Sequence, residues 1–321
     1  MKNVNGIAVA GVILVDKINE INAYPNCGEL TQIKNVSVST GGCVPNVAID
    51  LKKIMPNLTV KAIGKVGLDQ EGDYVKSVLS SNGIDVSMVK TCSDKTSFTE
   101  VMSIVGGQRT FFTYAGANAD FGAKDIDFSG LNVKMLHLGY FLLMDKVDNG
   151  DGEKILRLAK ENGIETSIDL VSENSNRYQA VIPCLKYTDN LIINEVEAGN
   201  LVGEIANEDN LPSIAEKLLK MGVNKRVIIH TPSMSVCVSS RGVTILPSYK
   251  IAPELIKGTT GAGDAFCAGA LSGIYLEKSD KEILELASSV AVMALFSQDA
   301  VSGMKTLSEI ELYCKKFSRR K

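Results

Sequence analysis

The residues best suited to chemistry lie together in the stretch Lys257-Gly258-Thr259-Thr260-Gly261-Ala262-Gly263-Asp264. After the polar turn at 258–260, Gly261-Ala262-Gly263 carries almost no side chain, and an apolar run through Leu271, Ile274 and Leu276 follows at helical spacing. A loop of this kind opening a helix leaves several backbone N–H groups unpaired. With the positive end of the helix dipole they form a site for an anion such as phosphate. An acid held beside phosphate suits proton acceptance or metal positioning, and Asp264 is the candidate base. No GxxxxGK[ST] and no GxGxxG occurs, so the loop is neither a P-loop nor a dinucleotide fingerprint.

Three further clusters stand beside predicted elements. The apolar run 7–15 reads as a buried strand ending at Asp16, and an acid just past such a strand lies at the edge where ligands bind. Gly41-Gly42 precedes a helix that carries Asn46: the glycines permit close backbone approach, and the amide both donates and accepts. Asn194-Glu195-Val196-Glu197 directly follows the strand at 191–193. Oxygen ligands there suit Mg²⁺, and a Glu-rich helix N-terminus explains the same residues equally well.

Gly258 to Asp264 resembles the DTxGAGD signature of the ribokinase-like, PfkB-type carbohydrate kinases, and the likeness extends over nearly the whole chain. The resemblance implies one α/β kinase domain over 1–321, with a small β lid from about 17–40 and 97–115 that often mediates homodimers. It implies ATP-dependent phosphorylation of a hydroxymethyl group on a small sugar, with Asp264 as base and Gly261, Ala262 and Gly263 around the transferring group. Asp16, Gly41, Gly42 and Asn46 match the positions that hold the sugar. The NxxE motif places Asn194 near the nucleotide phosphates and Glu197 toward Mg²⁺ through water. Thr231, Gly263 and Ser288 complete the expected ATP site.

The chain departs from the family pattern at several positions. Gly258 replaces the leading Asp of DTxGAGD, so K⁺ activation is not carried over, and the adjacent Lys257 is a candidate source of replacement charge. Pro232 stands in a turn where relatives have T-x-G, and Ser288 where many have Asn. A nucleoside kinase of the same fold and a non-catalytic sugar-binding homologue are the alternatives. The absence of Trp and an aromatic content of 6% disfavour the first, and retention of Asp264, Asn194 and Glu197 disfavours the second.

The elements that must position these residues alternate. Strands are expected at 60–66, 134–141, 166–171, 191–193, 226–231 and 243–247, and helices at 153–162, 178–185, 195–201, 211–221, 264–277, 281–297 and 307–317. That rhythm predicts a doubly wound, mostly parallel central sheet with helices on both faces. The segment 29–40 alternates as an exposed strand, and 98–105 with 108–114 reads as a hairpin closed by Gly106-Gly107. Arg109 at this hairpin could contact substrate or face water, and the second is preferred.

Composition narrows the functional classes. A chain of 321 residues with 45% hydrophobic content supports a large core. A net charge of −3 gives no electrostatic basis for nucleic acid or an acidic membrane as a partner. Residues 1–22 contain no charged-then-apolar leader, and no apolar run approaches ~18 residues, so a soluble, unprocessed protein is expected. Seven scattered cysteines without CxxC spacing fit a reduced, cytoplasmic setting. With only His137 and His230, both in apolar runs, neither a His-ligated zinc site nor a Ser–His–Asp triad is expected.

Overall fold

The computed structural model describes residues 5–104, 108–173 and 177–320. Strand β1 (Ile7–Gly11) is apolar throughout because both its faces are covered. The expectation of one strand over 7–15 is corrected here. The backbone turns at Gly11, with φ 133°, and β2 (Leu14–Ile21) begins a different sheet. A side chain at Gly11 would put a Cβ 2.4 Å from the Gly139 carbonyl oxygen, so glycine is required at this close crossing. Asp16 therefore lies within β2, opposite Ser39, and not beyond the end of a core strand.

The chain continues through β3 (Ile33–Gly41), α1 (Cys43–Ile54), β4 (Val60–Gly67), α2 (Gln70–Ser81), β5 (Asp85–Cys92), β6 (Phe98–Ile104) and β7 (Arg109–Tyr114). Strand β3 starts at Ile33, four residues later than the alternation at 29–40 suggests, and its outward residues are exposed. Strands β3, β2, β6 and β7 form, in that order, a small four-stranded sheet. The expected hairpin turn at Gly106 and Gly107 lies outside the described residues. The edge strand β5 carries Asp85, Ser87 and Lys90, a polar pattern that hid it from the sequence reading.

The second half supplies β8 (Met135–Phe141), α3 (Gly152–Glu161), β9 (Glu165–Leu170), α4 (Ile182–Leu185), β10 (Asn190–Asn194), α5 (Glu195–Val202), α6 (Leu211–Lys220) and β11 (Arg226–His230). It ends with β12 (Met234–Ser239), β13 (Gly242–Pro247), α7 (Ala262–Tyr275), α8 (Asp280–Ala294) and α9 (Leu307–Cys314). The helix expected over 178–185 is α-helical only from Ile182. Pro183 suits a first turn because its missing N–H would be unpaired there anyway.

The large sheet has nine strands in the order β13-β12-β11-β10-β9-β8-β1-β4-β5, parallel except for the antiparallel pairs β11–β12 and β12–β13. The chain runs outward from β1 toward β4 on one side and from β8 toward β9 on the other. The carboxyl ends of β1, β8, β9, β10 and β11 consequently border a crevice. Apart from polar exceptions such as Lys65, His137 and Ser167, the strand interiors are mostly fully buried Ile, Val, Leu and Ala. Each large side chain among them contributes about 1.5–3 kcal/mol on burial, which makes this sheet the rigid frame.

Helix α7 is brought against α8 by small residues. A Cβ at Gly269 would lie 2.7 Å from the Ala287 Cα, and one at Gly273 3.1 Å from the Ile283 Cα. Close packing fixes the direction of α7, and hence the place to which its N-terminus points. Among the described residues no helix is long and apolar enough to cross a membrane.

Candidate active site

Gly261 caps α7 in a left-handed conformation, with φ 77°, which glycine adopts at little cost. The turn also fits no side chain, because a Cβ there would come 2.4 Å from the Ala300 Cβ. The Ala262 N–H donates to the Thr259 carbonyl and the Ala265 N–H to the Gly261 carbonyl. Between them, the Gly263 and Asp264 N–H groups have no partner among the described residues, as a helix first turn leaves them.

Asp264 is 6% exposed. Its Oδ2 accepts from Asn46 Nδ2 of α1 at 2.9 Å and from the Tyr140 hydroxyl of β8 at 3.0 Å. Burial, reinforced by the negative charge of Asp169, pushes its carboxyl up to about 7 despite these donors. Tyr140 has a left-handed φ of 60°, uncommon outside glycine, and it sits where the β8–β9 register shifts. Its N–H donates to Asp169 Oδ1 at 2.6 Å, tying the ends of the two strands together behind Asp264.

A cavity of 190 Å³ at the strand ends is lined by Tyr140, Asp169, Asn194, Glu197, Gly261 and Asp264, among others. A second, more apolar cavity of 470 Å³ is lined by Thr231, Pro232, Ala262, Phe266, Ser288 and Ala291, among others. Asn194, His230 and Gly263 line both, so the bare α7 terminus is the junction between them. The His230 ring lies 4.6 Å from Phe266, and burial holds it down at about 4, so it is a neutral wall.

The Asn194–Glu197 corner forms a reciprocal helix cap. Asn194 Oδ1 accepts from the Glu197 N–H at 2.9 Å, while Glu197 Oε2 accepts from the Asn194 N–H at 3.1 Å. Glu197 Oε1 also accepts from Ser172 Oγ at 2.9 Å and Asn194 Nδ2 at 2.8 Å. Burial still pushes this carboxyl up to about 8.

Asp16 and Gly41 meet through the β2–β3 pairing: a Cβ at Gly41 would lie 2.2 Å from Asp16 Oδ2. Burial raises the Asp16 carboxyl to about 6. Gly42, with φ 89°, starts α1 beside Val12. Neither cavity is lined by Asp16, Gly41, Gly42 or Asn46, and of these four it is Asn46 that touches Asp264. Thr231 and Ser288 line the larger cavity, and the Thr231 hydroxyl also accepts from the Ser233 and Met234 N–H groups of its own turn. Arg109 donates to Thr260 Oγ1, so this exposed side chain joins the small sheet to the anion loop.

Sequence reasoning missed Tyr140 and Asp169. Asp169 near the end of a buried strand follows the same rule that singled out Asn194, whereas nothing local marks Tyr140. Asp50 was missed too: it is fully buried on α1, one turn after Asn46, and neither carboxylate oxygen has a hydrogen-bond partner among the described residues. Burial pushes its carboxyl well above the usual range.

Residues 9–307 match the sequence profile of the pfkB family of carbohydrate kinases. The chain is 26% identical over 302 residues to a 5-dehydro-2-deoxygluconokinase of Clostridium perfringens, covering 89% of this chain and 87% of that protein. It is 23% identical over 305 residues to a ribokinase of Lactococcus lactis, with 95% of each covered. The structure of Arabidopsis thaliana ribokinase complexed with ribose and ATP superposes with a TM-score of 0.82, at 23% identity and over 98% of this chain and 99% of that one. The shared architecture and a profile match spanning most of the sequence lead to one conclusion: the chain belongs to the pfkB family of carbohydrate kinases.

Proposed function

We propose that the protein transfers the γ-phosphoryl group of ATP to a hydroxymethyl group of a small sugar. The observation that carries this reading is the junction at α7, where a buried carboxylate adjoins two unpaired N–H groups between a polar and an apolar cavity. The apolar cavity suits a nucleotide base, and the N–H groups of Gly263 and Asp264 suit the phosphates. Asp264 accepts the proton of the attacking hydroxyl, and Asn46 and Tyr140 fix its direction. Catalysis of this kind rests on positioning and electrostatics. The relatives' names, a 5-dehydro-2-deoxygluconokinase and a ribokinase, support a small sugar as acceptor.

Magnesium fits the Asn194–Glu197 corner through water. The donors are oxygens, and both Glu197 oxygens already accept hydrogen bonds, Oε2 from the Asn194 N–H and Oε1 from Ser172 and Asn194 Nδ2, which suits contact through metal-bound water. Bound with ATP, the ion would supply positive charge to the phosphates. Gly258 offers no carboxylate for a monovalent cation, and Lys257 beside it is exposed; we read the lysine as the replacement charge. The exposed Val36, Val38, Phe111 and Phe112 of the small sheet support a homodimer formed through that sheet, which sedimentation would test.

The deciding experiment measures ADP release with Mg-ATP across pentoses, hexoses, keto-deoxy acids and nucleosides. Turnover with one sugar class is expected. Turnover with nucleosides alone would replace the reading by a nucleoside kinase, and silence with tight sugar binding would replace it by a non-catalytic binder.

A further inference from the structure

Behind the base, three side chains of different chemistry face one another: His137 on β8, Asp169 at the end of β9 and Cys267 on α7, one turn after Asp264. All are buried, and their ligand atoms lie within 4.8 Å of one another. His137 Nε2 is 3.4 Å from Asp169 Oδ2, and Cys267 Sγ is 3.6 Å from His137 Nε2. The first separation is longer than the 2.7–2.9 Å or so of a charge-assisted hydrogen bond. Both match the edges of a zinc tetrahedron. Ordinary Zn–N, Zn–O and Zn–S lengths at the tetrahedral angle give about 3.3 Å between N and O and about 3.6 Å between S and N.

We propose that His137, Asp169 and Cys267 form a site for a thiophilic divalent ion such as Zn²⁺, separate from the magnesium that accompanies ATP. The remaining atoms of the three side chains are already oriented for it. His137 Nδ1 lies 2.7 Å from Ser167 Oγ; when Nδ1 donates there, Nε2 presents its lone pair to the triad. Asp169 Oδ1 is taken by the Tyr140 N–H, which leaves Oδ2 for the ion. Asp169 and Cys267 both line the 190 Å³ cavity, so the ion has an entry path and a fourth ligand can come from that side. Binding converts the Cys267 thiol to a thiolate and releases its proton to solvent. The sulfur ligand selects Zn²⁺, Co²⁺ or Cd²⁺ over Mg²⁺, which prefers oxygen donors and keeps its waters.

The test is equilibrium dialysis of the chelator-treated full chain against Zn²⁺ in excess Mg²⁺, with Co²⁺ as the spectroscopic probe. One Zn²⁺ per chain is expected, with a near-ultraviolet thiolate-to-cobalt band. Cys267→Ser should remove the band, His137→Gln should weaken Zn²⁺ binding about tenfold or more, and Cys27→Ser, at an exposed cysteine, should change neither. Circular dichroism checks each variant; if Cys267→Ser does not fold, His137→Gln decides. The proposal is overturned by absence of stoichiometric Zn²⁺, by binding unchanged in His137→Gln, by a band that survives Cys267→Ser, or by one lost in Cys27→Ser.

Discussion

At the carboxyl edge of the large sheet, Asp169, Glu197 and Asp264 are each less than a tenth exposed, and each is gripped by hydrogen bonds from neighbouring elements. On the small sheet, Asp16 is half-buried with no such set of donors, and Arg109 faces solvent. The large sheet covers both faces of its strands and can hold carboxyls out of water at fixed distances. The small one has an exposed face and is tied to the rest by a few contacts, such as Lys17–Glu71 at 3.0 Å. The proposed function divides the labour accordingly: chemistry at the rigid edge, substrate grip on the looser sheet. Substitutions at the first should lower kcat, and substitutions at the second should act mainly on KM.

The largest effect is expected at Asp264. An Asn there removes the proposed base and should lower kcat about 10²–10⁴-fold. In the unaltered protein the carboxyl must be ionised to accept a proton, so kcat/KM should climb with pH and reach half its plateau near the free protein's raised value of about 7. Full turnover by Asp264→Asn would erase the contrast between the sheets. Gly261→Ala comes next, forcing a left-handed alanine at roughly 1–2 kcal/mol and a clash with Ala300. Thermal melting should show lower stability, and steady-state kinetics a lower kcat.

Gly41→Ala presses on Asp16 Oδ2, and the sugar KM should rise about tenfold, roughly 1.4 kcal/mol, with kcat little changed. An equal fall in kcat would mean that the two sheets share the chemistry. Smallest of all, Arg109→Ala removes an exposed contact to Thr260, so stability should stay within about 0.5 kcal/mol in urea denaturation. A greater loss would show that the small sheet is braced more firmly than its exposure suggests.

The alternation of elements, the bare loop at 261–263 and the helix behind Asp264 were legible in the sequence, because each depends on residues within a few positions of one another. The cap at Asn194 and Glu197 is local in the same sense, since its partners are three residues apart. The split of 7–15 was not legible. An apolar run records burial but not a change of sheet, and the close crossing that requires glycine at 11 is with Gly139, far along the chain. Edge strand β5 was hidden because one exposed side relaxes the apolar pattern that marks a central strand.

What the chain determined by itself was its family pattern, its layered class and the position of the candidate base, all carried by short-range spacing. Only the tertiary structure decided what surrounds that base. Asn46 lies 218 residues from Asp264, and Tyr140 lies 124. Hydrogen bonds and burial depend on distance in space, which the packing of α1 and α7 against the sheet sets.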